Sequence, residues 1–139
     1  NENYKIITIC GTNNKLLEEI KNKHFNNVIP IGYTNNINDY IYTADIVISK
    51  PGGLSSTEIA AIRKPLIHMF PIPGIETYNV NYFKEYNMSL NCNNNLELKD
   101  MINELLYNKE LQTKLIDNQN KYINSESAKE LVNIIKENF

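Results

Sequence analysis

Short apolar runs alternate with segments whose apolar residues recur every three or four positions. Lys5 to Cys10 is a compact run that stops at Gly11, and a helical stretch follows with Leu16, Leu17 and Ile20 on one face. Val28 to Tyr33 is a second strand-type run, broken at Gly32, and Ile37, Tyr40, Ile41 and Ala44 have the spacing of a short helix. Asp45 to Ser49 predicts a third strand that ends at Pro51-Gly52-Gly53. A helix is expected from Leu54 to Ile62, with Ser55 or Ser56 available as its N-cap. Pro65 to Phe70 predicts a fourth strand, with a Pro- and Gly-marked loop behind it, then a helix from Glu76 to Tyr86 and a short last strand in Met88 to Cys92. From Leu96 onward the pattern is helical, as three helices with breaks near Asn108 and Asn124. Strands alternating with helices of about ten residues indicate βαβ units, and strands apolar along their whole length suit a parallel sheet covered on both faces. The expected fold class is therefore α/β, a doubly wound, Rossmann-like parallel sheet. In such sheets ligands bind beyond the carboxyl ends of the strands. Four loops then matter: Gly11 to Asn14, Gly32 to Asn36, Lys50 to Ser56, and Pro71 to Thr77.

Composition narrows the function without naming it. The chain has 139 residues, 42% hydrophobic and 22% charged, enough for one domain with a real core. A net charge of −2 offers no basic face, which argues against a nucleic-acid partner held by phosphate contacts. Cys10 and Cys92 lie far apart with no metal-ligand spacing, as in a reduced cytosolic protein. No run of about eighteen apolar residues spans a membrane. There is no signal peptide, and a start on Asn1 reads as a fragment of a longer protein. The many asparagines sit within regular hydrophobic periodicity, so base-composition bias explains them better than a prion-like tract.

Lys50-Pro51-Gly52-Gly53-Leu54-Ser55-Ser56-Thr57-Glu58 has the clearest chemical logic. Two glycines where a strand becomes a helix let a ligand approach the backbone, and the helix start offers unpaired N–H groups suited to a diphosphate. Ser55 can add a hydroxyl, and Glu58 can accept from the two hydroxyls of a ribose. On local grounds the same segment reads equally as a tight turn with a capped helix. Gly11-Thr12-Asn13-Asn14 is a second glycine turn, neither a dinucleotide fingerprint nor a P-loop, and by itself an ordinary βα turn. Glu76 and Asn79, at i and i+3, share a helix face and could hold sugar hydroxyls or simply form a solvated helix start. His68 lies in an apolar strand and is expected in the core rather than as a base, and His24 at the surface near a helix C-terminus. No Ser-His-Asp arrangement, D-x-D pair or His/Cys cluster is evident, so no metal site is expected.

In order, Cys10-Gly11-Thr12-Asn13, Ile31-Gly32-Tyr33, the text ADIVISKPGGLSSTEIAAIRKPLI, and PIPG followed by Glu76 and Asn79 resemble the C-terminal domain of family 28 glycosyltransferases. The likeness runs to about residue 90 and is strongest to the diacylglycerol glucosyltransferase and monogalactosyldiacylglycerol synthase group. It implies that residues 1–139 are the C-terminal, nucleotide-sugar-binding half of a GT-B fold, whose N-terminal acceptor domain is absent from this chain. It places Gly11, Thr12 and Asn13 near the donor phosphates, and Tyr33 and Thr34 where backbone groups receive a uracil ring. Gly52, Gly53 and Ser55 fall on the diphosphate-binding helix start, Glu58 on the ribose, and Glu76 and Asn79 at the end of the donor-sugar loop. Ile75 stands where the family usually has Gln, which leaves the sugar undefined; Ser55 replaces Thr and keeps the hydroxyl.

The implied activity is inverting, metal-independent transfer of a hexosyl unit from a UDP-sugar to an acceptor such as a membrane glycerolipid, with no cofactor beyond the donor. The catalytic base, acceptor contacts and any peripheral membrane contact would reside in the N-terminal half or a partner subunit, on the cytoplasmic side of the cell membrane. This half alone is expected to bind UDP without turnover. A UDP-sugar epimerase of the same architecture, a stand-alone donor-binding subunit of a split transferase, and a non-enzymatic nucleotide-sugar-binding module remain alternatives.

Overall fold

The computed structural model describes residues 4–138. Its elements alternate as β1 (Ile6–Ile9), α1 (Asn14–Asn22), β2 (Val28–Ile31), α2 (Ile37–Thr43), β3 (Val47–Ser49), α3 (Gly53–Ala61), β4 (Leu66–His68), α4 (Ile75–Glu85) and β5 (Leu90–Asn91), followed by α5 (Asn95–Tyr107), α6 (Lys109–Tyr122) and α7 (Ser127–Asn138). All strand pairs are parallel, hydrogen-bonded as β1-β2 and as β3-β4-β5. The chain divides into two compact units, residues 1–39 and 40–139, with the boundary inside α2.

In the first unit β1 and β2 pair in register from Ile6–Val28 to Ile9–Ile31. Pro30 has no N–H to give, which suits a strand paired on one side. Helix α1 connects them; a Cβ on Gly32 would lie 3.4 Å from Leu17, so α1 sits close over the end of β2. Ile6, Ile7, Ile9 and Ile29 keep 36–45% of their surface. The apolar run predicts strands covered on both faces, but within this unit a single helix covers a two-stranded ladder.

The second unit holds the main core. Ile67, Cys92, Leu105 and Leu115 form its centre, with Ile46, Leu98, Met101 and Leu111 packed around them. Truncating a buried leucine such as Leu105 to alanine typically costs about 2–5 kcal/mol, so this cluster dominates the unit's stability. Polar side chains tie the helices to it. The Arg63 guanidinium donates to the carbonyls of Ala60, Gln119 and Ile123, joining the ends of α3 and α6. The buried Gln119 amide donates to the carbonyls of Lys64 and Met88, which fixes its orientation and leaves its Oε1 without a partner. Much of the asparagine content has a local purpose. Asn13, Asn94 and Asn108 are the side-chain N-caps of α1, α5 and α6.

His68 is fully buried on β4, register partner of Asn91 on β5, with the Phe83 ring of α4 edge-on at 5.0 Å. It is a core histidine, as its apolar neighbours predict. Burial lowers its pKa from 6.5 to about 4, while a hydrogen bond with the Asn91 side chain acts in the other direction. The unfolded chain takes up this proton near pH 6.5 and the folded one only near 4. Above pH 6.5 the ring is neutral in both states and pH-independent. Stability should therefore fall as pH drops from about 6.5 to about 4, by roughly 3 kcal/mol from this ring. Urea unfolding measured across that range should show the slope, and the difference curve against His68→Leu should isolate it; identical slopes in the two proteins would contradict the assignment.

Candidate functional site

Each unit carries loops at the carboxyl ends of its strands. In the first, Gly11 has φ 57°, a left-handed conformation that favours glycine, and turns the chain from β1 into α1. Thr12 is exposed, and the Asn13 carboxamide caps α1 by accepting from the Leu16 N–H at 3.0 Å. After β2, Tyr33 is 70% exposed with its hydroxyl donating to Asn35 Oδ1 at 2.8 Å, and Thr34 Oγ1 accepts from the Asn36 N–H at 3.0 Å. Because Ile9 and Ile31 are register partners, the Gly11–Asn13 and Tyr33–Thr34 loops leave the same end of one ladder.

In the second unit the loops after β3 and β4 lead into α3 and α4. Helix α3 begins one residue earlier than the periodicity suggests, and neither serine caps it. Gly52 is the N-cap, with φ −68° and ψ 138° and no side-chain cap hydrogen bond. Ser56 is the fourth residue of the helix; its N–H closes the first intrahelical bond to the Gly52 carbonyl at 2.9 Å, and its side chain is buried. The N–H groups of Gly53, Leu54 and Ser55 precede that bond and have no intrahelical acceptor. Ser55 and Glu58 are exposed and, three residues apart, share a face of α3.

Neither glycine at this helix start is required by the fold. Gly52 and Gly53 are not among the positive-φ positions, a Cβ on Gly52 would meet nothing within 4 Å, and one on Gly53 would reach only ordinary contact distance, 3.6 Å, from Asn79 Nδ2. The bare backbone opens toward solvent. Gly74 differs: at φ 113° and ψ −124° it holds a conformation that side chains rarely adopt, and it sets the start of α4.

The two residues expected at the sugar both have partners in these loops. Glu76 Oε2 accepts from the Ile72 N–H at 2.6 Å and closes the Pro71–Gly74 loop onto α4. Asn79 Nδ2 donates to the Pro51 carbonyl at 2.8 Å, tying α4 to the turn before α3. Glu76 and Asn79 thus define the shape of both loops. Ile75, the first residue of α4, is 82% exposed, and Leu54 and Tyr78 are similarly bare at 73% and 78%. Gly52, Gly53, Ser55 and Asn79 are brought together at one helix start.

A set of polar residues behind this helix start is not evident from the sequence. Ser56 Oγ lies 2.9 Å from His68 Nε2, Ser89 Oγ lies 3.1 Å from His68 Nδ1, and Ser89 Oγ donates to Asn91 Oδ1 at 3.2 Å. The available signal is a serine on the same helix face as Ile59 and Ala60, paired with a histidine in an apolar strand. Among the described residues no helix is long and apolar enough to cross a membrane.

Comparison with known proteins supplies the family. Residues 1–136 match the profile described as glycosyltransferase family 28 C-terminal domain. The chain is 29% identical over 139 residues to the processive diacylglycerol beta-glucosyltransferase of Staphylococcus epidermidis, covering 96% of this chain and 36% of that protein. It is 32% identical over 103 residues to the Staphylococcus carnosus protein of the same name, covering 73% and 26%, and 32% identical over 108 residues to that of Bacillus licheniformis, covering 76% and 28%. The chain therefore spans about a third or less of the length of these relatives. In fold it is similar to glycosyltransferase VinC, solved in complex with DTDP, with a TM-score of 0.67 and 13% identity over 98% of this chain and 42% of that one. Glycosyltransferase SnogD from Streptomyces nogalater aligns with a TM-score of 0.57 and 13% identity, over 96% of this chain and 43% of its own. An α/β domain of parallel strands, matched by the family profile along almost its whole length, this chain belongs to the C-terminal domain family of family 28 glycosyltransferases.

Proposed function

We propose that this domain binds the UDP part of a UDP-sugar and serves as the donor half of an inverting, metal-independent hexosyltransferase. The observation that carries the reading is the start of α3. Its first-turn N–H groups lack a side-chain cap, and its two glycines are dispensable to the backbone yet leave it bare to a ligand. A diphosphate answers both features. Its oxygens accept from the unpaired N–H groups, and its charge is favoured by the positive end of the helix dipole. The Ser55 hydroxyl adds a donor and the Glu58 carboxylate accepts from the ribose hydroxyls.

During transfer an acceptor hydroxyl attacks the anomeric carbon, the glycosidic bond to the diphosphate breaks, and negative charge grows on the departing UDP. Fixed N–H donors aimed at that charge stabilise the transition state without reorganising. The domain needs no cofactor beyond the donor. Glu76 and Asn79 border the sugar, and Ile75 replaces a polar contact with an apolar surface. The base, the acceptor contacts and a peripheral membrane contact on the cytoplasmic side are assigned to an acceptor domain, in line with relatives roughly three times longer. The names of those relatives suggest a diacylglycerol-type acceptor and a glucosyl donor.

Gly53→Ala tests the reading directly. At ordinary φ the substitution should leave thermal stability unchanged or raise it by up to about 1 kcal/mol, while weakening UDP binding in calorimetry at least about tenfold. Equal UDP affinity in a stable variant would sink the cradle, as would the absence of UDP binding by the unmodified protein at millimolar ligand. Glu58→Ala in the protein at its natural length should raise the donor KM about tenfold or more with kcat less affected, the signature of lost donor binding. An unchanged KM would remove Glu58 from the ribose.

A further inference from the structure

The buried polar set behind α3 has a defined direction. The Asn91 carboxamide oxygen only accepts, so the Ser89 hydroxyl spends its single hydrogen there. Ser89 Oγ must then accept from His68 Nδ1–H, which leaves Nε2 bare to accept from the Ser56 hydroxyl. The donors run from Ser56 through His68 and Ser89 to Asn91. This arrangement needs a neutral ring, and burial keeps it neutral down to about pH 4. Each link is buried or partly buried, where an unmade hydrogen bond is costly and a made one is directional.

The starting point of the relay gives it a function. Ser56 is held by its N–H to the Gly52 carbonyl and by its hydroxyl to His68 on β4. On the other side of the glycines, the Pro51 carbonyl is held by the Asn79 amide from α4. Residues 52–55 are thus suspended between two side-chain anchors, with no hydrogen-bonding side chain at the helix cap itself. Packing alone does not require this chemistry, since an alanine and a leucine would fill similar space. A hydrogen bond fixes the rotation and depth of a helix end more narrowly than apolar contact does.

We propose that His68 is a positioning residue for the diphosphate site, acting through Ser56 to set where the first-turn N–H groups of α3 point. The proposal rests on the donor-site reading above. It assigns to a buried strand histidine a role in ligand affinity, without contact to the ligand.

Calorimetric titration with UDP, on the protein at its natural length, tests it with four variants. Ser56→Ala removes only the hydroxyl. His68→Asn can replace Nδ1 toward Ser89 but cannot reach Ser56, whereas His68→Gln places an acceptor oxygen near the Nε2 position. Ser56→Ala and His68→Asn should each weaken UDP binding about tenfold, and the double variant should also lose about tenfold rather than a hundredfold, because both break one relay. His68→Gln should stay within about threefold of the unmodified protein, a rescue that general loss of core packing would not give. Should the His68 variants fail to fold, Ser56→Ala decides alone. Unchanged UDP affinity in Ser56→Ala, or losses that multiply in the double variant, would overturn the relay and leave the donor site standing. An unmodified protein that does not bind UDP would overturn both.

Discussion

A helix start without a side-chain cap is the constraint around which the α3 end of this domain, its proposed donor-binding end, is organised. In most helices a side chain satisfies some of the first-turn N–H groups, and here Asn13, Asn94 and Asn108 do so for α1, α5 and α6. Helix α3 is capped by a glycine that offers nothing. A glycine at the cap costs only about a few tenths of a kcal/mol relative to a capping side chain, so the bare start is easily tolerated. The same bareness suits an incoming anion. Helix α4 is likewise capped by a glycine, Gly74, but Glu76 folds back on the Ile72 N–H and closes that loop internally. Both helix starts lack a side-chain cap, and they differ in what holds the loop before them: Glu76 braces the loop before α4, and Asn79 holds the turn before α3.

An open helix end is useful only if it stays in place, and the second unit supplies the rigidity from behind. Ile59 and Ala60 bury the inner face of α3, Arg63 and Gln119 fasten its far end to α6, and Asn79 holds the turn in front of it. The core places polar groups where apolar ones would pack, and most are satisfied: His68 by two serines, the Gln119 amide nitrogen by two carbonyls. Polar groups buried with all partners made specify one arrangement more sharply than hydrophobic contact. A helix start proposed to present N–H groups to a diphosphate gains from that narrowness.

The alternation of strands and helices was legible because apolar periodicity is local, and each expected element has its counterpart in the structure. The ends shifted where backbone geometry outweighed side-chain pattern. The fourth strand contracts to Leu66–His68 and the last to Leu90–Asn91. The cap of α3 passed from Ser55 or Ser56 to Gly52 because the helix starts at Gly53, which puts both serines inside it and turns the Ser56 hydroxyl to His68, twelve residues away. Such a pairing depends on strand register and is invisible to local pattern. The asparagines at helix starts could have been read from cap preference, but their abundance hid them. The loops Gly11–Asn14 and Lys50–Ser56 were recognisable from glycine placement. That Glu76 also braces the Pro71–Gly74 loop, and Asn79 the turn at Pro51, could come only from their distances to Ile72 and Pro51.

Whether the α3 helix start receives a nucleoside diphosphate is tested at single atoms by amide NMR during a UDP titration. The N–H signals of Gly53, Leu54 and Ser55 should move furthest downfield and saturate together as the diphosphate occupies them. Saturable UDP binding that shifts other amides while leaving those three in place would contradict that placement of the diphosphate.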